Sequence, residues 1–438
     1  MTTADPTAAD LSALAAERGL RFFLFSFTDL FGVQRAKLVP AGAATGLAEE
    51  GAGFAGFAAW LDLTPADADV LARPDPASLM ALPWQPEVGW LATDLLLAGE
   101  PLEQAPRGLL RRQIARAAAL GLELRSGVEP EFFLLDPERP QVADRLDASA
   151  KPCYEQQALM RRYPLISELL SAMEGLGWGP YQADHEDANG QFELNWTYAE
   201  ALVTADRHAF FRAMAASLAE RHGLRASFDP KPIAGLTGNG AHLHLSLWDG
   251  QGLNRFDDPA APLGISALAE QFVAGLLDHA PALCALTNPQ PSSYRRLGRS
   301  RCASGATWSP AVISWSGNNR SHMIRVPGRG RLELRLGDGA ADPYLLQAAV
   351  LAAGLDGIER RLSPPPPLFT NTYTDPPSPQ QAPPLPDQLG AALAAFAADG
   401  RLRQALGEGF CLAYERRLTV RLEGAEPEGA ELSQRSQA

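Results

Sequence analysis

The 438-residue chain is acidic, with a formal net charge of −13, and 46% of its residues are apolar. That apolar share excludes wholesale disorder, and the charge excludes the phosphate backbone of a nucleic acid as a partner. No run of about 18 uninterrupted apolar residues spells a membrane span. The N-terminus lacks the basic start and apolar core of a secretory signal. Cys153, Cys284, Cys302 and Cys411 are scattered, with no Cys-x-x-Cys, and read as free thiols of a cytoplasmic protein.

In chain order, residues 1–20 spell a short helix. The run FFLFSF (22–27) is too short for a helix and predicts a strand, 29–32 a turn, and 35–39 the return strand. Proline and glycine punctuate 40–106, and the break near Pro101–Pro106 separates an N-terminal domain (1–103) from a second domain (104–438). Residues 107–120 carry apolar groups at helical spacing. Gly121 and Gly127 bracket a strand, and EFFLLD (131–136) follows. Helices are predicted over 155–176, 199–222, 264–286 and 343–361. The run PPPP (364–367) ends the last of these and opens a proline-rich loop, after which a helical tail covers 387–417 and a polar end frays. Helices and strands mix without strict βαβ alternation, which makes the class α+β.

Four strand-like segments share one pattern: Gly127-Val128-Glu129-Pro130-Glu131-Phe132, Gln191-Phe192-Glu193-Leu194-Asn195-Trp196, His242-Leu243-His244-Leu245-Ser246-Leu247 and Arg331-Leu332-Glu333-Leu334-Arg335-Leu336. Strand side chains alternate faces, so each segment sends an apolar set one way and Glu, His, Arg or Gln the other. For any one strand the ordinary reading is a half-solvated sheet. Solvated faces favour Thr, Lys and Ser, however, and these polar sets are nearly free of Lys. Carboxylates and an imidazole on converging faces repel unless divalent cations hold them. Oxygen-rich ligation with one His points to Mg²⁺ or Mn²⁺ rather than zinc. Ser293-Tyr294-Arg295-Arg296-Leu297 and the stretch Asn318 to Arg325 add arginines. Arginines beside a multi-carboxylate metal cluster are the outfit of phosphoryl transfer. No Gly-x-x-x-x-Gly-Lys-Ser/Thr loop and no protein-kinase motif set is present.

At these residues the sequence resembles the glutamine synthetase family. The segments that carry the resemblance are TDLFGVQRAKLVP (28–40), GVEPEFFL (127–134), HEDANGQFELN (185–195), GNGAHLHLSLWD (238–249), SYRRL (293–297), NRSHMIRVP (319–327) and RLELRLGDGAADPYLLQAAVLAAGLDGIE (331–359). Each is weak alone; together, in the family's order, they are specific. The resemblance implies a β-grasp-like N-terminal domain and a catalytic domain whose curved antiparallel sheet lines the active site. It also implies a homo-oligomer of two stacked hexameric rings, a dodecamer, with active sites at subunit borders. Carried over residue by residue, it makes Glu129, Glu131, Glu186, Glu193, His242 and Glu333 the ligands of two to three metal ions. Arg296 and Arg335, with Glu131, contact glutamate and its transferred phosphate, and Gly238 holds glutamate through its backbone. Arg320 and Arg325 lie on the phosphate side of ATP, and His244, Ser246 and Arg331 contact the nucleotide. The implied reaction phosphorylates the γ-carboxylate of L-glutamate with ATP, and an amine then displaces phosphate.

The sequence departs from the family where the ammonium ion is bound. The Asp of the family's Phe-Asp-Gly-Ser segment is Ala55 here, and the Glu of its flap Glu-Ala-Pro is Trp308, in Trp308-Ser309-Pro310. Thr237 stands where the family commonly has Asn before Gly-x-Gly. Losing two carboxylates weakens an ammonium site. An aromatic face offers a methylated ammonium about 0.5–2 kcal/mol, and a buried methyl about 0.8 kcal/mol more. Trp308, with Phe57 and Trp60, is then expected to line the amine pocket. The pattern is that of the type III branch, and the leading expectation is ligation of methylamine to glutamate. The rivals are ammonia as nucleophile, a larger amine, and a non-catalytic ring protein; the complete set of ligand-type residues argues against the last. Glu186 and the adjacent Asp187 are the candidates for the base that deprotonates the amine. Tyr373, in Asn371-Thr372-Tyr373-Thr374-Asp375, matches the family's adenylylation segment poorly, and no such modification is expected.

Overall fold

The computed structural model describes residues 11–298, 302–305 and 307–423. Two sheets carry the fold. Strands Phe22–Thr28, Gln34–Pro40, Ala52–Phe54, Val70–Pro74, Met80–Leu82, Gln85–Leu97 and Glu100–Pro101 form the first. Strand Phe22–Thr28 runs antiparallel to Gln34–Pro40 and parallel to Gln85–Leu97, the middle strand. The hairpin between the first two strands turns on Asp29, whose Oδ1 accepts from the Phe31 and Val33 amides at 2.9 and 3.1 Å. Gly32 supplies the positive φ of 76° that the turn requires. Helix Ala41–Glu50 follows, with Ala44 buried among Leu11, Phe23 and Phe25. This is the mixed, grasp-like arrangement.

The second sheet runs in the order Trp315–Ser316, Ile324–Gly328, Arg331–Leu334, Ala241–Asp249, Leu122–Leu135, Gln191–Trp196, Pro180–His185, and two short strands add to Leu122–Leu135. All its pairs are antiparallel except the first. Leu243, Leu245, Leu247, Leu332 and Leu334 are buried in one cluster with residues of helices Pro106–Ala119, Ala201–Arg221, Ala267–Asp278 and Pro343–Glu359. The opposite face is left for the charged set.

The structure differs from the sequence reading in continuity. One strand, Leu122–Leu135, runs straight through Gly127, because nine consecutive pairs with Ala241–Asp249 bridge it. The helix expected over 155–176 is two, Gln156–Arg161 and Tyr163–Gly175, the second with Pro164 in its first turn. The helix expected over 264–286 breaks at His279 into Ala267–Asp278 and Ala280–Thr287, again with a proline at the new start. A proline cannot donate to the preceding turn but fits the first turn of a new helix. The tail is three helices, Leu389–Ala398, Gly400–Leu406 and Glu408–Leu422. Asp399 caps the second of these, and Gly407, at φ 97°, separates it from the third. The expected helix at the N-terminus spans Leu11–Arg18; residues 1–10 and the polar end 424–438 lie outside the described residues. No described helix is long and apolar enough to cross a membrane.

Arg107, in the first turn of the helix that follows the first sheet, fastens that sheet to the second unit. Its guanidinium donates to both oxygens of Asp206 at 3.0 and 2.9 Å, to Asp94 at 2.9 Å and to Asp75 at 2.7 Å. Asp206 also accepts from the Tyr344 hydroxyl at 2.8 Å. The guanidinium is almost fully buried. Arg107→Met leaves a buried carboxylate unpaired, which costs about 3–5 kcal/mol. The variant is expected to melt well below the wild type by calorimetry; an unchanged melting temperature would show that the clamp contributes nothing.

His279, at the helix break, donates from both ring nitrogens when protonated, to Asp399 at 2.6 Å and Asp356 at 3.0 Å. Burial lowers its pKa, but the two carboxylates outweigh burial and raise it above the ordinary value. A raised folded-state pKa gives stability that is complete below the unfolded value of about 6.5 and lost as pH rises through the folded one. Urea unfolding is therefore expected to show the wild type losing more stability than His279→Gln as pH rises above 6.5; parallel pH profiles would contradict this.

Candidate active site

The strand registers build the site. Residues directly opposite in an antiparallel pair share a face. Asp184 pairs with Glu193 and Glu193 with Glu131. Glu129 pairs with His242. His244 and Arg325 both pair with Glu333. Apart from His244, these residues form one wall of a cleft, and Glu186, Gly238, Arg296, Arg320 and Arg335 join them in lining it, with Thr237 and Trp308.

His242 stands at the centre, its Nδ1 3.7 Å from Glu129, 3.9 Å from Glu131 and 3.8 Å from Glu333. Two sets of donor atoms lie within 4.8 Å of one another: Glu129, His242 and Glu333, and Glu131, Glu193 and His242. Carboxylate oxygens with one imidazole, at that spacing, fit hard divalent cations. The electrostatics agree. Burial, then Glu131 and Asp184, push the Glu186 carboxyl up to about 8. Burial, then Glu129, Glu186 and Glu131, raise Glu193 well above its usual range. Such carboxylates lose their protons when a cation is bound beside them. Glu129 and Glu333 go the other way: against the penalty of burial, His242 and His244 hold Glu129 well below its usual range, and Arg335 and His242 hold Glu333 down at about 2. Arg325 and Arg335 each donate to Glu333 at 2.6 Å.

Buried partners fix the ligands. Gln191 donates from Nε2 to Glu131 at 2.9 Å and to Asn239 Oδ1 at 3.0 Å, and the Gly240 amide donates to Glu131 at 2.7 Å. Asn195 donates to Glu193 at 2.9 Å. His244 pairs with Glu129 at 2.8 Å. The Gly-Asn-Gly turn is a matter of close approach: a Cβ on Gly238 would lie 2.1 Å from the Pro230 carbonyl, and one on Gly240 2.7 Å from His242.

His244, Ser246 and Arg331 lie together in a second pocket that meets the first at Glu129. There Tyr198 and Trp248 stack at 6.4 Å, Arg125 lies 4.4 Å over Trp248, and the Trp248 indole donates to Ser246 at 2.9 Å. Flat aromatic faces beside arginines suit a nucleotide base and its phosphates.

Trp308 is held in an unusual way. Its φ is 61°, a left-handed conformation that costs a non-glycine residue about 1–2 kcal/mol. Arg335 secures it by donating to its carbonyl at 3.0 Å. Its indole N–H is buried with no hydrogen-bond partner among the described residues. Neither Phe57 nor Trp60 lines the cleft within one chain: Phe57 is 49% exposed on the first sheet's side of the molecule, and Trp60 packs on Phe31 at 5.4 Å beneath Arg417. Asp187 does not line it either; its carboxylate accepts from the Thr237 hydroxyl at 2.8 Å and from Ser304. The Tyr373 hydroxyl donates to the carbonyls of Ser309 at 3.2 Å and Arg320 at 3.3 Å.

The cleft also contains residues that the sequence reading missed. Asp184 lines it two positions before Glu186, the same spacing as Glu129 and Glu131, and that repeat was the available signal. Tyr154 lines it at φ 65°, for which the sequence carries no signal. Cys153 lines it as a neutral thiol, pushed up to about 12 by burial, Glu186 and Asp187.

Comparison with known proteins fits this geometry. Residues 103–423 match the profile described as "Glutamine synthetase, catalytic domain". The chain belongs to the glutamine synthetase family. It is 53% identical to a glutamine synthetase of Rhizobium leguminosarum bv. phaseoli over 92% of this chain and 93% of that one. It is 43% identical to a glutamate–methylamine ligase of Methyloversatilis universalis over 89% and 90%. A solved complex of GmaS with ADP superposes with a TM-score of 0.92 at 53% identity, covering 98% of this chain and 99% of that one. Like the members of its family, the chain is an ATP-dependent ligase, and the family uses divalent metals.

Gln191 tests the geometry of the metal wall. Gln191→Leu removes the side-chain donor from Glu131, and loss of such a partner costs about 10–100-fold in metal affinity. The Mg²⁺ concentration for half-maximal phosphate release is expected to rise at least tenfold; an unchanged requirement would mean that Glu131 needs no such support.

Proposed function

We propose that this ligase joins methylamine to the γ-carboxylate of L-glutamate, with ATP as phosphoryl donor. The observation that carries the reading is Trp308, an aromatic side chain in a strained backbone conformation lining the cleft beside Arg335 and Glu333, where a binder of ammonium needs a carboxylate. The 43% identity to a glutamate–methylamine ligase and the superposition on GmaS support it. The 53% identity to a rhizobial glutamine synthetase favours the second reading, in which ammonia is the nucleophile.

In this account a γ-carboxylate oxygen of glutamate attacks the terminal phosphorus of ATP and ADP leaves. The amine nitrogen then attacks the acyl carbon, the bond from that carbon to the phosphate oxygen breaks, and phosphate leaves. Arg296 and Arg335 orient glutamate and meet the charge on the transferred group, and Arg320 and Arg325 lie on the ATP side. Gly238 offers its backbone to glutamate, and His244, Ser246 and Arg331 hold the nucleotide. Glu129, Glu131, Glu186, Glu193, His242 and Glu333 would hold Mg²⁺ or Mn²⁺, two to three ions, whose chemistry is to neutralise the moving phosphoryl charge. Glu186 receives the proton of the amine nitrogen, because its carboxylate lines the cleft and that of Asp187 is engaged elsewhere. A division at 1–103 and 104–438 places every one of these residues in the second unit. Phe57 and Ala55 lie in the first, and they reach an amine pocket only across a subunit border in the expected dodecamer. We place the enzyme in the cytoplasm.

Phosphate release from ATP and L-glutamate is expected to show kcat/KM for methylammonium at least tenfold above that for ammonium. Trp308→Ala is expected to lower that ratio about tenfold, the worth of one cation–π contact. A preference for ammonium in the wild type would make the protein a glutamine synthetase. An unchanged ratio in the variant would remove Trp308 from amine selection.

A further inference from the structure

Outside the ligand set, one buried carboxylate is held by hydroxyls from two other segments. Asp187 is 5% exposed and follows the cleft residue Glu186 directly. Its Oδ2 accepts from Thr237 Oγ1 at 2.8 Å and from the Ser304 hydroxyl. Those hydroxyls belong to two other segments. Thr237 precedes the Gly-Asn-Gly turn. Ser304 lies in the segment leading to Trp308, and the neighbouring Ala303 amide donates to the Gly235 carbonyl at 2.8 Å. Three loops around the cleft therefore meet at one oxygen: the one carrying Glu186, the one carrying Gly238, and the one leading to Trp308.

We propose that Asp187 is a positioning residue, a clasp that holds the Gly238 and Trp308 walls against the Glu186 loop so that the acyl phosphate meets the amine and not water. Hydrogen bonds to an ionised acceptor are the strong ones. The Asp187 carboxylate does not line the cleft, and its backbone amide donates to Glu186 Oε2 at 3.2 Å. The carboxylate acts through Thr237 and Ser304. The Thr at 237 thereby acquires a purpose: it supplies one of the two hydroxyls. Failure of the clasp admits a side reaction, in which a water oxygen attacks the acyl carbon, the bond from that carbon to the phosphate oxygen breaks, and glutamate and phosphate are released with no amide formed.

The inference rests on the ligase reading of the cleft but not on which amine is used, so the test takes whichever of methylammonium or ammonium the wild type prefers. The readout is phosphate released per amide formed, with KM for glutamate and the Mg²⁺ requirement measured alongside. Wild type is expected to give a ratio near one. Asp187→Ala and Ser304→Ala are each expected to raise the ratio several-fold and to raise KM for glutamate, with the Mg²⁺ requirement unchanged. The double variant is expected to be no worse than the worse single one, because both remove the same contact. Ser304→Thr keeps the hydroxyl and is expected to restore the ratio. A ratio unchanged in Ser304→Ala would overturn the proposal. So would an Asp187→Ala variant that lost turnover with every amine while Ser304→Ala stayed normal, since Asp187 would then be acting as the base.

Discussion

Glu129, Glu131, Glu186 and Glu193 share a concave, largely buried face, and their mutual repulsion is the constraint around which the rest of the molecule is arranged. Placing several carboxylates out of water costs several kcal/mol each unless they are neutralised. The chain meets part of that cost itself. Arg325 and Arg335 neutralise Glu333, His244 pairs with Glu129, and Gln191, Asn195 and the Gly240 amide turn donors toward Glu131 and Glu193. The remainder is left for cations and for a substrate's phosphate. A site that is too negative alone, and balanced once loaded, favours the charged state through which phosphoryl transfer passes.

That face needs a rigid backing. The leucines of the same strands lock it onto helices Ala201–Arg221 and Pro343–Glu359, and the 14-residue strand Leu122–Leu135 carries Glu129 and Glu131 without interruption. Arg107 then fixes the first sheet to the back of this unit through Asp75, Asp94 and Asp206. Across the cleft the support is of another kind: polar contacts between loops, with Arg335 to the Trp308 carbonyl, Ser309 to the Arg296 carbonyl at 2.7 Å, and Asp187 to Thr237 and Ser304. The ligands stand on strands, where geometry is stiff. The amine-side wall stands on loops, where a single substitution changes what fits.

Much of this was legible in the sequence, and the reason is periodicity. Alternation in GVEPEF, QFELNW, HLHLSL and RLELRL places acids and leucines on opposite faces before any pairing is known, and it predicted the charged face. It could not give register, so the row of Asp184 beside Glu193 and Glu131 came only from the structure. Glycine misled in one place: Gly127 reads as a strand end but is bridged by nine pairs, and it allows Tyr198 to approach to 3.5 Å of where a Cβ would lie. Helix breaks at Pro164 and Pro281 were hidden by apolar runs that continue on either side. Trp308 was visible as a substitution. Its left-handed backbone and Tyr154's were not, because tertiary contacts rather than local preference hold such conformations. Asp187 looked like a candidate base by adjacency to Glu186, whereas its hydrogen bonds tie it to Thr237 and Ser304.

The central claim is that one cleft activates glutamate's γ-carboxylate as an acyl phosphate and hands it to methylamine. Its most direct test is oxygen transfer. L-glutamate carrying ¹⁸O in both γ-carboxylate oxygens is turned over with ATP, Mg²⁺ and methylammonium as the sole amine, and the products are weighed by mass spectrometry. The account predicts an N-methylamide retaining one ¹⁸O, with the other in the phosphate. Absence of the N-methylamide, or an amide formed while the released phosphate carries no ¹⁸O, would contradict it.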